Sequence, residues 1–137
     1  MNYLMLIYTK EEARAAMTPQ EVEAIKAQHW AVITESSKLG ILRGVSPLHP
    51  TSTATTVSVR NDKVTTTDGP FAETKEQLAG YYVLDCKDLD EAIAWAARIP
   101  TACGGADGCI EIRPVSDLPG RTVTNAPPGV EYATVIE

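Results

Sequence analysis

Two side chains of this 137-residue chain, those of His29 and Asp68, could together carry proton-transfer chemistry. An imidazole titrates near neutral pH and acts as a general base or acid once a partner sets its tautomer. A carboxylate hydrogen-bonded to the ring would orient it and raise its basicity. The sequence therefore predicts His29 as the general acid or base and Asp68 as its orienting partner, if the fold brings them together.

Each of the two residues also has a purely structural interpretation. His29 falls on the apolar stripe of a predicted helix, where a histidine is more often a hydrogen-bonded core residue. Asp68 opens the turn Asp-Gly-Pro-Phe, and aspartate often begins turns by bonding its own backbone. The turn fixes the position of Asp68, because glycine permits unusual backbone dihedrals and proline locks one. Local sequence leaves both alternatives open.

Three further side chains are candidates for substrate binding: Arg43, Arg60 and Tyr82. Arg43 and Arg60 lie on predicted strands and could hold an anionic substrate through a bidentate pair, although solvent-facing arginines are the commoner case. Tyr81 and Tyr82 point to opposite faces of a strand, so one of them can line a given pocket. The sequence has no dinucleotide fingerprint, phosphate loop or metal-ligand cluster, so we expect no cofactor and no metal site.

Composition excludes several classes of partner. The chain has 12 basic and 18 acidic residues and a net charge of −6, which argues against a nucleic-acid surface or an anionic membrane surface. No apolar run reaches the roughly 20 residues of a membrane span, and the N-terminus lacks the features of a secretory signal. The three cysteines, Cys86, Cys103 and Cys109, are expected to be reduced thiols in a cytoplasmic protein.

The sequence strongly predicts a helix that carries His29. The segment Thr18-Pro19-Gln20-Glu21 is a capping box with proline at the first helical position. An inward stripe follows at spacings of three and four residues, and Gly40 ends the helix; the stripe comprises Val22, Ile25, His29, Val32, Ile33 and Ser36.

The remaining elements predict an α+β fold. Strands are expected over residues 2–8, 41–45, 53–60, 63–67, 80–86 and 109–115, with a turn at Asn61-Asp62 and a loop or single helical turn over 71–79. A second helix begins at Asp88 and ends at Pro100, with a predicted buried stripe of Leu89, Ala92, Ile93, Ala96 and Ile99. This order is typical of a ferredoxin-like antiparallel sheet with two helices on one face.

Such a sheet leaves its other face open. We expect Tyr3, Met5 and Ile7 on that open face and a homodimer that covers it by packing sheet on sheet. Residues 1–115 would form the domain, and residues 116–137 a tail whose apolar end, Val130 to Ile136, could be a strand that packs on or crosses to the partner.

The chain resembles the YciI-related (YCII) family, and within it the branch named for the Asp-Gly-Pro-Phe (DGPF) motif. The resemblance is most specific from Asp68 through Glu76 to Tyr82 and covers roughly residues 1–115. It also includes Asp88-Leu89-Asp90-Glu91-Ala92 and Glu111-Ile112-Arg113-Pro114-Val115. It implies a dimeric α+β barrel and a histidine–aspartate pair in a cleft, with the histidine eleven residues before the glycine that ends the first helix, the position of His29 relative to Gly40.

Three functions stay open at this point. The first is a cofactor-free isomerase or lyase that transfers a proton on a small organic acid through His29 and Asp68. The resemblance supports it, because related barrels include isomerases and dehydrochlorinases. The second is a non-enzymatic module that binds a small molecule or a protein, with a sigma factor as the partner that the resemblance suggests. The third is a scaffold dimer with an inert cleft.

Overall fold

The structure is a computed structural model that describes residues 1–101 and 108–116. Two features named from the sequence lie outside the described residues: Cys103, and the predicted tail after Ser116. In chain order the strands and helices are β1 (Asn2–Thr9), α1 (Glu11–Ala15), α2 (Pro19–Lys38), β2 (Leu42–Pro47), β3 (Thr55–Arg60), β4 (Lys63–Asp68), β5 (Gln77–Asp85), α3 (Leu89–Ala96) and β6 (Cys109–Pro114), with a 3-10 turn at Thr51–Thr53.

Four of the strands form an antiparallel sheet in the order β2-β5-β1-β6. β1 lies at the centre and pairs with β5 over its whole length, from Asn2 opposite Asp85 to Thr9 opposite Gln77. β3 and β4 form a separate two-stranded sheet. The prediction of an α+β fold with antiparallel sheets is confirmed. No helix in the described part of the chain is long and apolar enough to cross a membrane.

The alternation of β1 corrects the predicted face. Tyr3, Met5 and Ile7 are 7%, 0% and 6% exposed and belong to the core beneath the helices, so their expected place on the open face is wrong. Leu4, Leu6 and Tyr8 lie on the opposite face and are half-buried. Because β1 is apolar at both parities, its sequence pattern cannot distinguish the two faces.

Helix α2 follows its predicted stripe. The hydroxyl of Thr18 accepts a hydrogen bond from the Glu21 amide at 3.2 Å, which caps the first turn. The six predicted inward residues of α2 are its buried or half-buried ones, and its other residues are exposed. This stripe packs on the sheet through the fully buried Val32.

Helix α3 covers the same face of the sheet. Asp88 caps it by accepting from the Glu91 amide at 2.9 Å. Ala92, Ala96 and Ile99 are buried as predicted, but Leu89 and Ile93 are half-exposed. Trp95 takes a core position instead, because the buried face of α3 is centred on Ala92, Trp95 and Ala96.

The β3–β4 hairpin turns at Asn61 and Asp62, as predicted, and both residues have positive φ. This conformation suits the twist of a two-residue hairpin and is tolerated by asparagine and aspartate. Val57, Val59 and Val64 are each at least 60% exposed on this hairpin.

Candidate active site

A cleft of about 510 Å³ lies between α2 and the end of the sheet where β1 finishes and β5 begins. Its lining is mainly apolar and includes the polar groups of His29 and Tyr82. The lining residues are Ile7, Thr9, Arg14, Ile25, Lys26, His29, Trp30, Ile33, Val45, Ser46, Pro47, Ala79, Gly80, Tyr81, Tyr82 and Pro100. The volume falls in the range typical of small-molecule sites.

His29 and Tyr82 are in direct contact in this cleft. Nδ1 of His29 lies 2.7 Å from the Tyr82 hydroxyl oxygen, and the two rings stack at 14° with centroids 5.9 Å apart. His29 comes from the inward stripe of α2, and Tyr82 comes from β5, where it lies opposite Met5 on the helix-facing side. The hydrogen bond leaves Nε2 as the second ring nitrogen, through which His29 can exchange a proton.

The surroundings favour the neutral form of both side chains. Burial lowers the pKa of His29 below 6.5, and the positive charge of Arg14 lowers it further. Burial raises the pKa of Tyr82 to about 12, so its hydroxyl keeps its proton at neutral pH. That hydroxyl can donate to Nδ1 of a neutral imidazole, or accept from Nδ1–H when the imidazole has taken up a proton at Nε2.

The charged groups around the cleft are all basic. Arg14 and Lys26 line it, and no aspartate or glutamate is found among its described lining residues. This is notable because the whole chain has a net charge of −6. The arrangement favours an anionic ligand in the cleft.

Asp68 lies apart from the cleft lining. It is the last residue of β4, pairs with Thr55 across the hairpin, and is exposed. The structure therefore does not bring Asp68 against His29 within the described chain, and Tyr82 occupies the place beside the imidazole. The catalytic role of Asp68 stays a prediction.

The two arginines predicted for substrate binding also lie outside the cleft lining. Arg43 donates to the Gly40 carbonyl at 2.7 Å and to the Asp85 carboxylate at 3.2 Å, at the opposite end of the sheet. Arg60 ends β3 at the exposed hairpin turn. Of the three predicted binding residues, Tyr82 is the one that lines the cleft.

The described cysteines are free thiols: Cys86 is buried and Cys109 is exposed. Burial raises the pKa of Cys86 to about 11, which keeps this thiol protonated. Residues 1–101 and 108–116 contain no group of three or more histidine, cysteine or acidic side chains placed to hold a metal ion.

Arg14 and Thr9 are among the lining residues that the sequence did not predict. Arg14 lies on the five-residue helix α1, which sequence analysis did not identify, and Thr9 is a buried polar residue at the end of β1. The available signal was Glu11-Glu12 ahead of Arg14, because acidic residues favour the first turn of a helix and basic residues the last.

The amino-acid sequence of the chain is similar to those of known proteins. An uncharacterised protein of Rhizobium meliloti (strain 1021) is 37% identical to the chain over 116 residues, which cover 85% of the chain and 93% of that protein. The profile of the YCII-related domain matches residues 1–119. The chain is therefore a member of the YCII-related family.

Proposed function

We propose that the protein is a cofactor-free proton-transfer enzyme, of isomerase or lyase type, that acts on a small organic acid in the cleft. The observation that carries this proposal is the 2.7 Å contact between Nδ1 of His29 and the Tyr82 hydroxyl inside an apolar cleft. His29 is the general base and acid, and Tyr82 is the group that holds its ring and accepts from Nδ1–H when the ring is charged.

The reaction proceeds through one proton at Nε2 of His29. A C–H bond of the substrate breaks and its proton goes to Nε2. In isomerisation, the C–H electron pair forms a carbon–carbon double bond while an adjacent double bond opens, and the electron pair of the opened bond takes the proton back from Nε2 at a different carbon. In elimination, the C–H electron pair forms the double bond as the bond to a leaving group breaks; the leaving group departs with the electron pair of that bond, and Nε2 passes its proton to the leaving group or to water. Neither path is a net oxidation or reduction, so no external electron acceptor is needed. The low pKa of His29 suits this cycle, because the imidazole is neutral before the step and returns its proton readily.

The test is carbon-bound hydrogen exchange in D₂O, followed by proton NMR on a panel of small carboxylic acids. We expect exchange with at least one acid, and a loss of about 10²- to 10⁴-fold in His29→Gln, as is typical on removal of a general base. His49→Gln is the matched control, because His49 is exposed in the loop after β2. Equal exchange in His29→Gln and the parent would contradict the proposal.

Asp68 is tested in the same assay. The sequence predicts that it orients His29, and in the described chain it lies on the exposed hairpin. Asp68→Asn should slow exchange if the hairpin of a second copy brings this carboxylate to the cleft. Unchanged exchange in Asp68→Asn would leave Tyr82 as the group that orients His29.

The strand order and the position of the helices support a more specific fold than an α+β domain. We infer a ferredoxin-like plan of the DGPF branch, supported by the strand order β2-β5-β1-β6 and by the core that both α2 and α3 share on one face. Leu4, Leu6 and Tyr8 on the other face support a homodimer in which two such sheets pack together.

The dimer is tested by sedimentation of the parent and of Leu6→Lys. We expect the parent at twice the chain mass of 14.8 kDa, and Leu6→Lys at the mass of one chain with unchanged circular dichroism. Leu89→Lys is the control, because Leu89 is 51% exposed on α3 and faces away from the open side of the sheet. A monomeric parent would contradict the proposal.

A second candidate function is a protein-interaction module, for which a sigma factor is the expected partner. One observation favours it: Val57, Val59 and Val64 present an exposed apolar surface on the β3–β4 hairpin. Binding to a sigma factor would then be lost in Val59→Lys and unchanged in His29→Gln. The enzyme hypothesis predicts the reverse pattern for hydrogen exchange.

A further inference from the structure

We propose that Arg14 is the anchor for the substrate's carboxylate, so that the cleft selects monocarboxylic acids with a compact apolar body and couples their binding to the proton of His29. This inference rests on the proposed function and adds to it the class of substrate and the residue that recognises it. The candidates from sequence, Arg43 and Arg60, lie outside the cleft lining.

Arg14 lies on the lining of the cleft, with the general base. It lines the cleft together with His29, and its charge acts on that imidazole. It forms no ion pair with a carboxylate within residues 1–101 and 108–116. The planar guanidinium presents paired N–H donors that match a carboxylate. An arginine with these donors uncommitted, beside a general base, is suited to hold an acidic substrate.

Hydrogen bonds hold helix α1 in place. The Glu11 carboxylate accepts from the Thr51 amide at 2.7 Å and from the Thr51 hydroxyl at 2.9 Å. The Glu11 amide donates to the Gln77 side chain at 3.0 Å. These bonds hold the start of α1 against the 3-10 turn and the start of β5. Arg14, one turn further on, therefore projects from a fixed helix at the rim of the cleft.

The rest of the cleft lining is mainly apolar. Lys26, the other basic residue, already lies 3.4 Å from the Glu23 carboxylate on the exposed side of α2. The remaining walls are largely aliphatic and aromatic, and include Ile7, Ile33 and Val45. A ligand with two distant charges would place one of them against these walls without a partner, which is unfavourable. The lining therefore fits one carboxylate at Arg14 and an apolar body beside His29.

Coupling to the proton follows from the charges. Arg14 from α1 lines the cleft and its charge acts on His29, and the Tyr82 hydroxyl from β5 contacts the ring. Lys26 of α2 and Tyr81 of β5 also line the cleft, but Lys26 lies beside Glu23 and Tyr81 pairs with Leu6 on the open face of the sheet. The charge of Arg14 disfavours the imidazolium form, so a carboxylate bound to Arg14 offsets that charge and makes His29 a stronger base. By linkage, the anion binds more tightly to the protonated site. The bound substrate thus increases the basicity of the His29 imidazole, which removes its proton.

The experiment follows the pKa of His29 by NMR, with His49→Gln to assign the two histidines, and uses benzoate and its neutral analogue benzamide as probes. In the parent we expect benzoate to raise the His29 pKa and benzamide to leave it unchanged. In Arg14→Gln the pKa of the empty site should already be higher. Benzoate should then bind about ten- to a hundredfold more weakly, as is typical on loss of a charge-assisted hydrogen bond, and no longer shift the His29 pKa.

Two variants make the test specific. Arg14→Lys keeps the charge and removes the paired donors, so it should retain the low His29 pKa but weaken benzoate binding. Arg60→Gln removes an arginine on the distant hairpin and should behave as the parent. The inference is overturned if benzoate does not bind the parent, or if Arg14→Gln binds it equally well.

The two proposals fail in different ways. Hydrogen exchange that depends on His29 but has the same KM in Arg14→Gln and the parent would overturn the carboxylate anchor and leave the enzyme proposal intact. Benzoate binding that depends on Arg14, with no exchange on any acid, would support the anchor in a binding protein and contradict the enzyme proposal.

Discussion

The hydroxyl oxygen of Tyr82 lies 2.7 Å from Nδ1 of His29, and the two rings stack at 14°. The contact joins residues 53 positions apart, one on helix α2 and the other on the central part of strand β5. It orients the imidazole through a hydrogen bond to one ring nitrogen, with the two rings nearly parallel. Unlike a carboxylate, a tyrosine with a pKa of about 12 orients the ring without adding a negative charge.

Removal of the Tyr82 hydroxyl should change the tautomer of His29 and leave the chain folded. In Tyr82→Phe we expect altered ¹⁵N shifts of both ring nitrogens, because Nδ1 loses its partner. We also expect a fall in unfolding free energy of about 1 to 3 kcal/mol, the usual cost of an unsatisfied buried group. Tyr8→Phe, on the open face of the sheet, is the control. Identical ¹⁵N shifts in Tyr82→Phe and the parent would show that the contact does not set the tautomer.

The lowered pKa of His29 makes stability depend on pH. An unfolded histidine titrates near 6.5 and the folded one titrates lower, so between these values the unfolded chain binds more protons. The free energy of unfolding should therefore be fully retained above pH 6.5 and decrease as the pH falls through this window. Urea denaturation between about pH 7.5 and 5 measures the slope, which cannot exceed about 1.4 kcal/mol per pH unit for one proton.

Substitution separates this effect from other titrations. His29→Gln should flatten the slope, whereas His49→Gln should preserve it. The N-terminal ammonium, through its hydrogen bond, lowers the pKa of Asp85 below 3.8, so the stability that Asp85 contributes is lost only at more acidic pH. A slope that persists in His29→Gln would rule out His29 as its source.

The bond between Glu11 and Thr51 should stabilise the rim of the cleft. In Glu11→Ala the Thr51 amide loses its acceptor, and we expect a loss of about 1 to 3 kcal/mol together with faster hydrogen exchange at that amide. Glu12→Ala, at the exposed neighbouring position, should change neither quantity. Unchanged protection of the Thr51 amide in Glu11→Ala would contradict the proposed role of Glu11 in holding α1.

Gly80 should tolerate no side chain. A Cβ at this position would lie 2.8 Å from the Ser46 carbonyl oxygen and 3.2 Å from the Pro47 Cα, both of which belong to the backbone of β2. Gly80→Ala should therefore push β2 away from β5 and cost about 1 to 3 kcal/mol in thermal denaturation. Gly40→Asn is the control, because a side chain at Gly40 meets open space and asparagine tolerates the φ of +73° at this position. Unaltered stability in Gly80→Ala would contradict this close approach of the strands.

Local sequence signals predicted the parts of the fold that depend on neighbours in the chain. The Thr18 cap, the six-residue stripe of α2 and the turn at Asn61-Asp62 are of this kind. The face of β1 was predicted wrongly, because apolar residues at both parities leave the choice to packing against distant helices. Arg43 illustrates the same limit, since its hydrogen bond to Asp85 crosses 42 positions.

The candidate site was likewise predictable only in part from the sequence. His29 and Tyr82 are both candidate site residues from the sequence, His29 through its chemistry and the cleft that the family resemblance implies, and Tyr82 as one of two tyrosines that could line a pocket. Their mutual contact is not predicted, because it depends on how α2 lies across the sheet. Arg14 was missed altogether because α1 has five residues and a weak periodic signal.

The β3–β4 hairpin should be locally less stable than the four-stranded sheet. Its two strands pair with each other in a sheet of their own, and an isolated two-stranded hairpin is only marginally stable in water. In a single copy its amides should open at a much lower free energy than those of β1, which is paired on both sides. A protease that cuts at Asn61-Asp62 would therefore leave the four-stranded sheet folded and His29 still in contact with Tyr82.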